Sequence, residues 1–304
     1  QCPVFQVFES PMTILVSGKN GQLGHCLVDR LNFSDLDYIS LDKKEMDITK
    51  YDETARIIGE IKPRVIINTA AYTDVEKSEI DKKDAILANE SGPENLSKIC
   101  KKIDTPLIHI STDYVFDGRS EIPYKPEDDV NPKSFYGMSK LAGEQRIQEN
   151  CDSYMIIRTS WLFSEYGKNF LKTMLKISKQ KKNIDVICDQ IGCPTYAGHL
   201  ADAILKPIKK ISENNFDSGI YHYAGDQECS WFEFTNEIFL VANNLGYIEK
   251  IPNLNKILAK DFQAKAKRPN YSVLDSSKFC KAFGVNPSNW KESLPDVIKS
   301  AVLA

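Results

Sequence analysis

The segment that most constrains this chain is residues 13–24, TILVSGKNGQLG. A short apolar run rich in β-branched residues ends in a turn with Gly18, Gly21 and Gly24, and helical spacing follows from about Gln22 to Leu31. A strand that passes through such a turn into a helix needs residues without Cβ for three reasons. The turn is tight, the backbone must approach a pyrophosphate closely, and the helix must pack against the strand. The start of the helix then offers free N–H groups and positive partial charge to an anion. A plain βα turn fits the same glycines, so the motif takes its meaning from its surroundings.

Those surroundings repeat the alternation. Short apolar strands are expected at 38–41, 65–68 (VIIN), 107–110 (LIHI) and 154–158 (YMIIR), with helices at 51–61, 84–102 and 132–150 between them. Strands separated by helices at this spacing predict parallel βαβ units, and fully apolar strands predict a sheet covered on both faces. The expected fold is α/β, a Rossmann-type doubly wound parallel sheet. Beyond about Ser164 the rhythm changes, with helices at 169–179, 198–210, 231–245 and 288–303 and strands at 184–187 and 219–223. This predicts a smaller, interleaved C-terminal substrate lobe: a dinucleotide-binding domain over 12–165 with part of 195–225, and a substrate-binding lobe mainly over 166–304. Residues 1–11, QCPVFQVFESP, lack the basic start and long apolar core of a signal peptide. They are expected to be a leader or a disordered extension, with the protein proper starting at Met12.

Composition narrows the partners. The 39 basic and 42 acidic residues give a net charge of -3, and no long basic run exists, which argues against nucleic acid. No apolar run approaches the ~18 residues that span a bilayer, so no membrane partner is expected. The eight cysteines include no CxxC and several lie in apolar or helical stretches. They read as reduced thiols of a cytoplasmic protein. Cys188 and Cys193 have no His or Cys cluster to complete a metal site, so no metal is expected. The four histidines, at 25, 109, 199 and 222, are scattered and read as structural or surface residues.

Chemistry enters with Tyr136-Gly137-Met138-Ser139-Lys140. Tyr136 and Lys140, four apart on a helix, share one face. An ammonium beside a phenol favours the phenolate and is expected to lower its pKa from ~10. Such a tyrosine can protonate a carbonyl oxygen as hydride reaches the carbon. Ser111-Thr112-Asp113-Tyr114 follows the fourth strand, where a hydroxyl can hydrogen-bond the same carbonyl. Asn68-Thr69-Ala70-Ala71, at the end of the third strand, lets a dinucleotide lie flat over the sheet edge.

With these motifs in place the chain resembles the extended short-chain dehydrogenase/reductases, and within them the dTDP-4-dehydrorhamnose reductase family. The resemblance runs from Met12 to the C-terminus. Seven ordered segments carry it: GKNGQLG (18–24), NTAAYTDVEKSE (68–79), STDYVFDG (111–118), YGMSKLAGE (136–144), RTSWLF (158–163), DQIGCPT (189–195) and RPNYSVLD (268–275). The resemblance implies NAD(P)H-dependent reduction of the C4 ketone of a nucleotide-linked 6-deoxy-4-ketohexose. It implies Thr112, Tyr136 and Lys140 as the catalytic trio, with Lys140 also on the nicotinamide ribose. Gly18, Asn20, Gly21, Gln22, Leu23 and Gly24 would line the pyrophosphate, Asp47 and Ile48 the adenine, and Ala70, Ala71 and Tyr72 the cofactor's flank. Thr73, Val75, Tyr114 and Trp161 would frame the sugar, with Arg268 on the nucleotide-sugar pyrophosphate unless it pairs structurally.

Some features refine this picture. Some family members hold a metal at a dimer interface through a glutamate two residues after the third glycine; here that residue is Cys26. A homodimer stays open, but not that mode of forming it. Related dehydratases carry Thr-Asp-Glu where this chain has Thr112-Asp113-Tyr114, and a phenol is a poor base at neutral pH. At the end of the second strand Asp42 suits a ribose 2′-hydroxyl, whereas Lys43 and Lys44 suit a 2′-phosphate. NADPH is therefore expected, with NADH also accepted. Two other readings stay open: a reductase of another nucleotide-4-keto-6-deoxysugar, and a non-catalytic regulatory subunit resembling that of methionine adenosyltransferase.

Overall fold

The structure, a computed structural model, describes residues 13–211 and 216–303. The leader expected over residues 1–11 and the start at Met12 lie outside the described residues.

The first half alternates strand and helix: β1 (Ile14–Ser17), α1 (Gln22–Asn32), β2 (Tyr38–Leu41), α2 (Tyr51–Ile61) and β3 (Val65–Asn68). Short helices α3 (Val75–Ser78) and α4 (Lys82–Ile86) lead through a π turn, Leu87–Ser91, into α5 (Gly92–Ile103). Then come β4 (Leu107–Thr112), α6 (Phe135–Asn150) and β5 (Tyr154–Thr159). The second half holds β6 (Leu162–Phe163), α7 (Phe170–Ser178), β7 (Asn183–Ile187), β8 (Ile191–Gly192), β9 (Thr195–Tyr196), α8 (Ala197–Ile211) and β10 (Gly219–His222). It ends with β11 (Cys229–Ser230), α9 (Trp231–Asn244), β12 (Asn253–Ile257), α10 (Ser277–Phe283) and α11 (Trp290–Leu303).

Six strands form one parallel sheet in the order β10-β5-β4-β3-β1-β2. Strand side chains alternate between faces. Ile14, Val16 and Ile67 therefore join Leu23, Leu27 and Leu31 of α1 and Leu200, Ile204 and Ile208 of α8 on one side. Leu15 and Ile66 meet Ile58 of α2, Leu96 and Ile99 of α5 and Ile147 of α6 on the other. Both faces are covered, as the apolar strands require. The second half is interleaved, because β10 pairs with β5, and α10 sends Phe279 and Phe283 into the core beside α8. A separate core unites α7, β7, α9 and α11 through Leu171, Val186, Phe234, Ile238 and Leu294.

The helix expected over 84–102 forms as one helical run over 82–103 with a π turn inside it. Pro93 has no N–H for the Asn89 carbonyl four residues back, and the chain widens into the π turn just before it. The strand β12, which pairs in parallel with β7, has no sequence signal beyond Leu254 and Ile257 among polar neighbours. The π turn and β12 are the features that the sequence expectation lacked.

Helix α6 matters most for the site. Ser134 caps it by accepting from Gly137 N at 3.1 Å. Gly137 lies against the Tyr114 carbonyl and Gly143 against that of Asn89; a Cβ at either would fall 2.2 Å or 2.0 Å from the oxygen. One turn beyond Lys140, Glu144 takes a forked ion pair from Arg158 of β5, with Nε–Oε1 at 3.0 Å and Nη2–Oε2 at 2.7 Å. Both side chains are buried, at 1 % and 3 % exposure. Arg158 also donates to the Pro126 carbonyl and lies over the Phe116 ring. Removing one partner of such a pair leaves the other charge unpaired in the interior. Glu144→Gln is expected to cost about 3–5 kcal/mol in urea unfolding; a loss below ~1 kcal/mol, the range of exposed pairs, would show that α6 is not pinned here.

Candidate active site

The functional side chains gather at the carboxyl ends of β1 to β5, where open α/β sheets bind ligands. The chain runs from β1 outward to β2 and then crosses to β3 on the other side, so a crevice opens between the ends of β1 and β3. A cleft of about 1080 Å³ starts there and extends past β4 to Trp161.

Its floor is the glycine turn. Gly18 has φ +84°, and a Cβ on it would lie 2.6 Å from Ala70 N, so the turn and the segment after β3 touch backbone to backbone. Gly24 closes on the turn from the helix side, with its Cβ position 2.3 Å from the Gly18 carbonyl. Gly21 differs: the nearest atom to a Cβ there is 3.4 Å away. No side chain caps α1 at Gly21. Its first N–H groups thus face the cleft with the helix's positive end behind them. This cradle suits a pyrophosphate.

At the rim after β2, Asp42 is already engaged. It accepts from Asn20 Nδ2 at 2.8 Å and from the N–H groups of Lys44 and Glu45 at 2.8 and 3.1 Å, which hold its carboxyl below the usual carboxylate range. Lys19 is paired with Glu45 at 2.7 Å, whereas Lys43 and Lys44 line the cleft. Asp47 and Ile48 lie along the same wall.

The segment after β3 is fixed by Asn89 of the π turn. Its amide exchanges two hydrogen bonds with the Tyr72 backbone, at 2.8 and 3.0 Å, and donates a third to Ser139 of α6 at 3.0 Å. Ala70, Ala71, Tyr72, Thr73 and Val75 are thereby held along the cleft.

Opposite them stand Thr112, Tyr114 and Tyr136. Thr112 Oγ1 donates to Asp113 Oδ1 at 3.0 Å, accepts from Tyr114 N at 3.2 Å and lines the cleft together with Tyr136. The two tyrosine rings meet edge to face at 5.5 Å. Asp113 is buried, its Oδ2 has no partner among the described residues, and burial pushes its pKa up to about 7. Trp161 holds a left-handed φ of +45°, uncommon for a bulky residue. Its ring stacks on Trp231 of α9 at 3.4 Å, which fixes it at the far end of the cleft.

All the site residues expected from sequence line this cleft except one. Arg268 pairs with Glu76 of α3 at 3.0 Å and is not among the lining residues. Glu76 is held below the usual carboxylate range, where it also accepts from Lys265 N and Ala266 N. The expected action of Lys140 on Tyr136 is also corrected. Lys140 Nζ donates to the Ile110 carbonyl at 2.6 Å and sits 3.2 Å from His109 Nε2. Burial instead pushes the Tyr136 phenol up to about 12, with Asp113 adding to it and Thr112 opposing. His109, read from sequence as a structural or surface residue, is fully buried directly behind Lys140. A histidine in a strand buried on both faces was the available signal.

The family model described as the RmlD substrate binding domain matches residues 12–303. The chain belongs to this family. A dTDP-4-dehydrorhamnose reductase of Aggregatibacter actinomycetemcomitans is 39% identical over 286 residues, covering 93% of this chain and 97% of that protein. A crystal structure of a dTDP-4-dehydrorhamnose reductase from Clostridium acetobutylicum superimposes with a TM-score of 0.87 at 36% identity, over 95% of this chain and 99% of that one. Another, from Bacillus anthracis and in complex with NADP, gives 0.86 at 36% identity over the same shares.

Proposed function

We propose that this family member is an NADPH-dependent dTDP-4-dehydrorhamnose reductase, reducing the C4 ketone of dTDP-4-dehydro-β-L-rhamnose to dTDP-L-rhamnose. The observation that carries the reading is that Thr112, Tyr136 and Lys140 line the same cleft as the glycine cradle. The family membership and the relative that binds NADP support it. NADPH, when bound, supplies the hydride.

The chain's own residues do the rest. The N–H groups at the start of α1, with Gly18, Gly21 and Gly24, would hold the pyrophosphate. Asp47 and Ile48 would flank the adenine, and Ala70, Ala71 and Tyr72 the middle of the dinucleotide. Tyr136 keeps its proton at neutral pH, because burial disfavours the phenolate, and gives it to the ketone oxygen. Thr112 passes a hydrogen bond to the same oxygen once its hydroxyl turns from Asp113. Lys140 would hold the ribose. Thr73, Val75, Tyr114 and Trp161 would enclose the sugar. Burial also pushes the Tyr114 phenol up, so it is no base for water elimination. No helix among the described residues is long and apolar enough to cross a membrane, and the seven described cysteines are free. A cytoplasmic enzyme is the reading these favour.

Purified protein should oxidise NADPH when given the keto-sugar, and Tyr136→Phe should still bind NADPH while losing at least ~10²-fold in turnover. Near-normal turnover in that variant would remove Tyr136 from the chemistry; no turnover in the wild type would favour a binding role.

The cofactor preference rests on Lys43 and Lys44. Asp42 is one half-buried anion already satisfied by Asn20 and two N–H groups, and two exposed cations stand beside it. One net charge at a wet surface is worth ~1 kcal/mol, or about fivefold in affinity. NADPH should be preferred by about that factor, and Lys43→Ala with Lys44→Ala should erase the preference while leaving NADH turnover nearly unchanged. A wild type that prefers NADH tenfold would assign the pocket to Asp42.

The same reading includes a homodimer formed without a metal bridge. Cys26 is sealed in the core under α1, and burial raises its thiol pKa, so it offers no oxygen ligand and little thiolate. Sedimentation and turnover in EDTA should match those in Mg²⁺; restoration of either by Mg²⁺ would overturn this.

A further inference from the structure

Behind Lys140 runs a buried chain of polar groups across three strands. Ser17 Oγ of β1 donates to Asn68 Oδ1 of β3 at 2.7 Å. Asn68 Nδ2 lies 3.0 Å from His109 Nδ1 of β4, and His109 Nε2 lies 3.2 Å from Lys140 Nζ. Ser17, Asn68, His109 and Lys140 are all buried.

The proton positions along this chain follow from one fixed donor. The backbone N–H of Ala70 points at Asn68 Oδ1 from 3.1 Å. A flipped amide would set its NH₂ against that N–H, so Oδ1 faces Ala70 and Ser17, and Nδ2 faces the imidazole. Nδ2 can only donate, so His109 Nδ1 must accept. A neutral imidazole then carries its proton on Nε2, the atom that faces Lys140. The imidazolium would place a second N–H against the Asn68 amide, and burial holds the His109 pKa well below its usual value, with Lys140 adding to the effect. An ammonium at Lys140 has only donors and would face the Nε2–H donor to donor. A neutral amine has a lone pair for that N–H and still donates to the Ile110 carbonyl.

We propose that His109 is a positioning residue for Lys140: its Nε2–H donates to the amine, draws the side chain back onto the Ile110 carbonyl and so favours loss of the Lys140 proton, while the ammonium is the form that serves as the cation of the site. The other groups around Lys140 fit this account. On its own helix, Tyr136 is protonated and Glu144 is already paired with Arg158 of β5. From β3 comes only the neutral Asn68 amide. Beyond β4, Asp113 is buried, with its carboxyl raised to about 7. Burial lowers the Lys140 pKa to about 8, and Glu144 opposes this only in part. The amine therefore predominates above that pH and the ammonium below it.

The inference rests on the proposed reduction only for its kinetic consequence; its structural content can be read without turnover. In the wild-type protein, ¹⁵N chemical shifts of His109 should show the Nε2–H tautomer from pH 6 to 9, and the ¹³Cε signal of Lys140 should titrate near 8. An Nδ1–H tautomer, an imidazolium, or a Lys140 midpoint at the ordinary value of ~10.4 would overturn the proposal even if the enzyme reduces its substrate. His109→Gln presents an amide that can turn its oxygen toward the ammonium. In that variant the Lys140 midpoint, and with it the alkaline limb of kcat/KM, should rise by at least about one pH unit, a tenfold change in proton affinity. The plateau kcat should change by less than about threefold, because that term reports the complex and not the free enzyme. A variant whose limb stays in place while kcat falls would make His109 a purely structural residue.

Discussion

The site depends on how closely α6 approaches the sheet. Two carbonyls, those of Tyr114 and Asn89, lie where a Cβ would stand on Gly137 and Gly143. With any other residue at either place, the helix would have to move outward. That shift would separate Tyr136 from Thr112, Ser139 from Asn89, and Lys140 from Ile110. The Arg158–Glu144 fork then fixes the helix along its axis, because bidentate geometry tolerates little sliding. The geometry of these cleft side chains is therefore set by residues that do not line the cleft themselves. Tyr136, Lys140 and Glu144 form one stripe at four-residue spacing; Lys140 is held by β4 and Glu144 by Arg158 of β5.

Much of this was legible in the sequence, and the parts that were not share a cause. β2, α2 and β3 were readable to the residue, because apolar periodicity reports burial directly. The glycine turn was readable because it needs backbone conformations that other residues avoid. The π turn at Leu87–Ser91 was hidden. Gly92-Pro93 stands in the sequence, but a proline in the first turn of a helix is also ordinary. The contacts of Lys140 were hidden as well. Helical spacing puts its side chain on the face shared with Tyr136, yet the choice between the phenol and the Ile110 carbonyl depends on β4, about thirty residues away in the chain. The same holds for Arg268, whose ion-pair partner Glu76 is far off in sequence. Spacing along one element reveals a shared face; it does not reveal what faces it.

The two halves of the molecule meet through the cofactor cradle. Gln22, inside the glycine motif, accepts from Ser164 Oγ at 3.1 Å and from Asn169 Nδ2 at 2.9 Å. Asn169 in turn caps α7 by accepting from Lys172 N. The first turn of α1 is thus tied to the first helix of the second lobe. Trp161 makes the other junction, leaving β5 with a left-handed φ and stacking on Trp231 at the start of α9. A strained φ of this kind costs of order 1–3 kcal/mol and persists only where the surroundings over-determine it. Here the stacked indole supplies part of that constraint. Both ties end on residues that line the cleft or the loop beneath it. The second half of the chain is therefore tied to the cleft at two places, at the glycine turn through Gln22 and beyond β5 through Trp161.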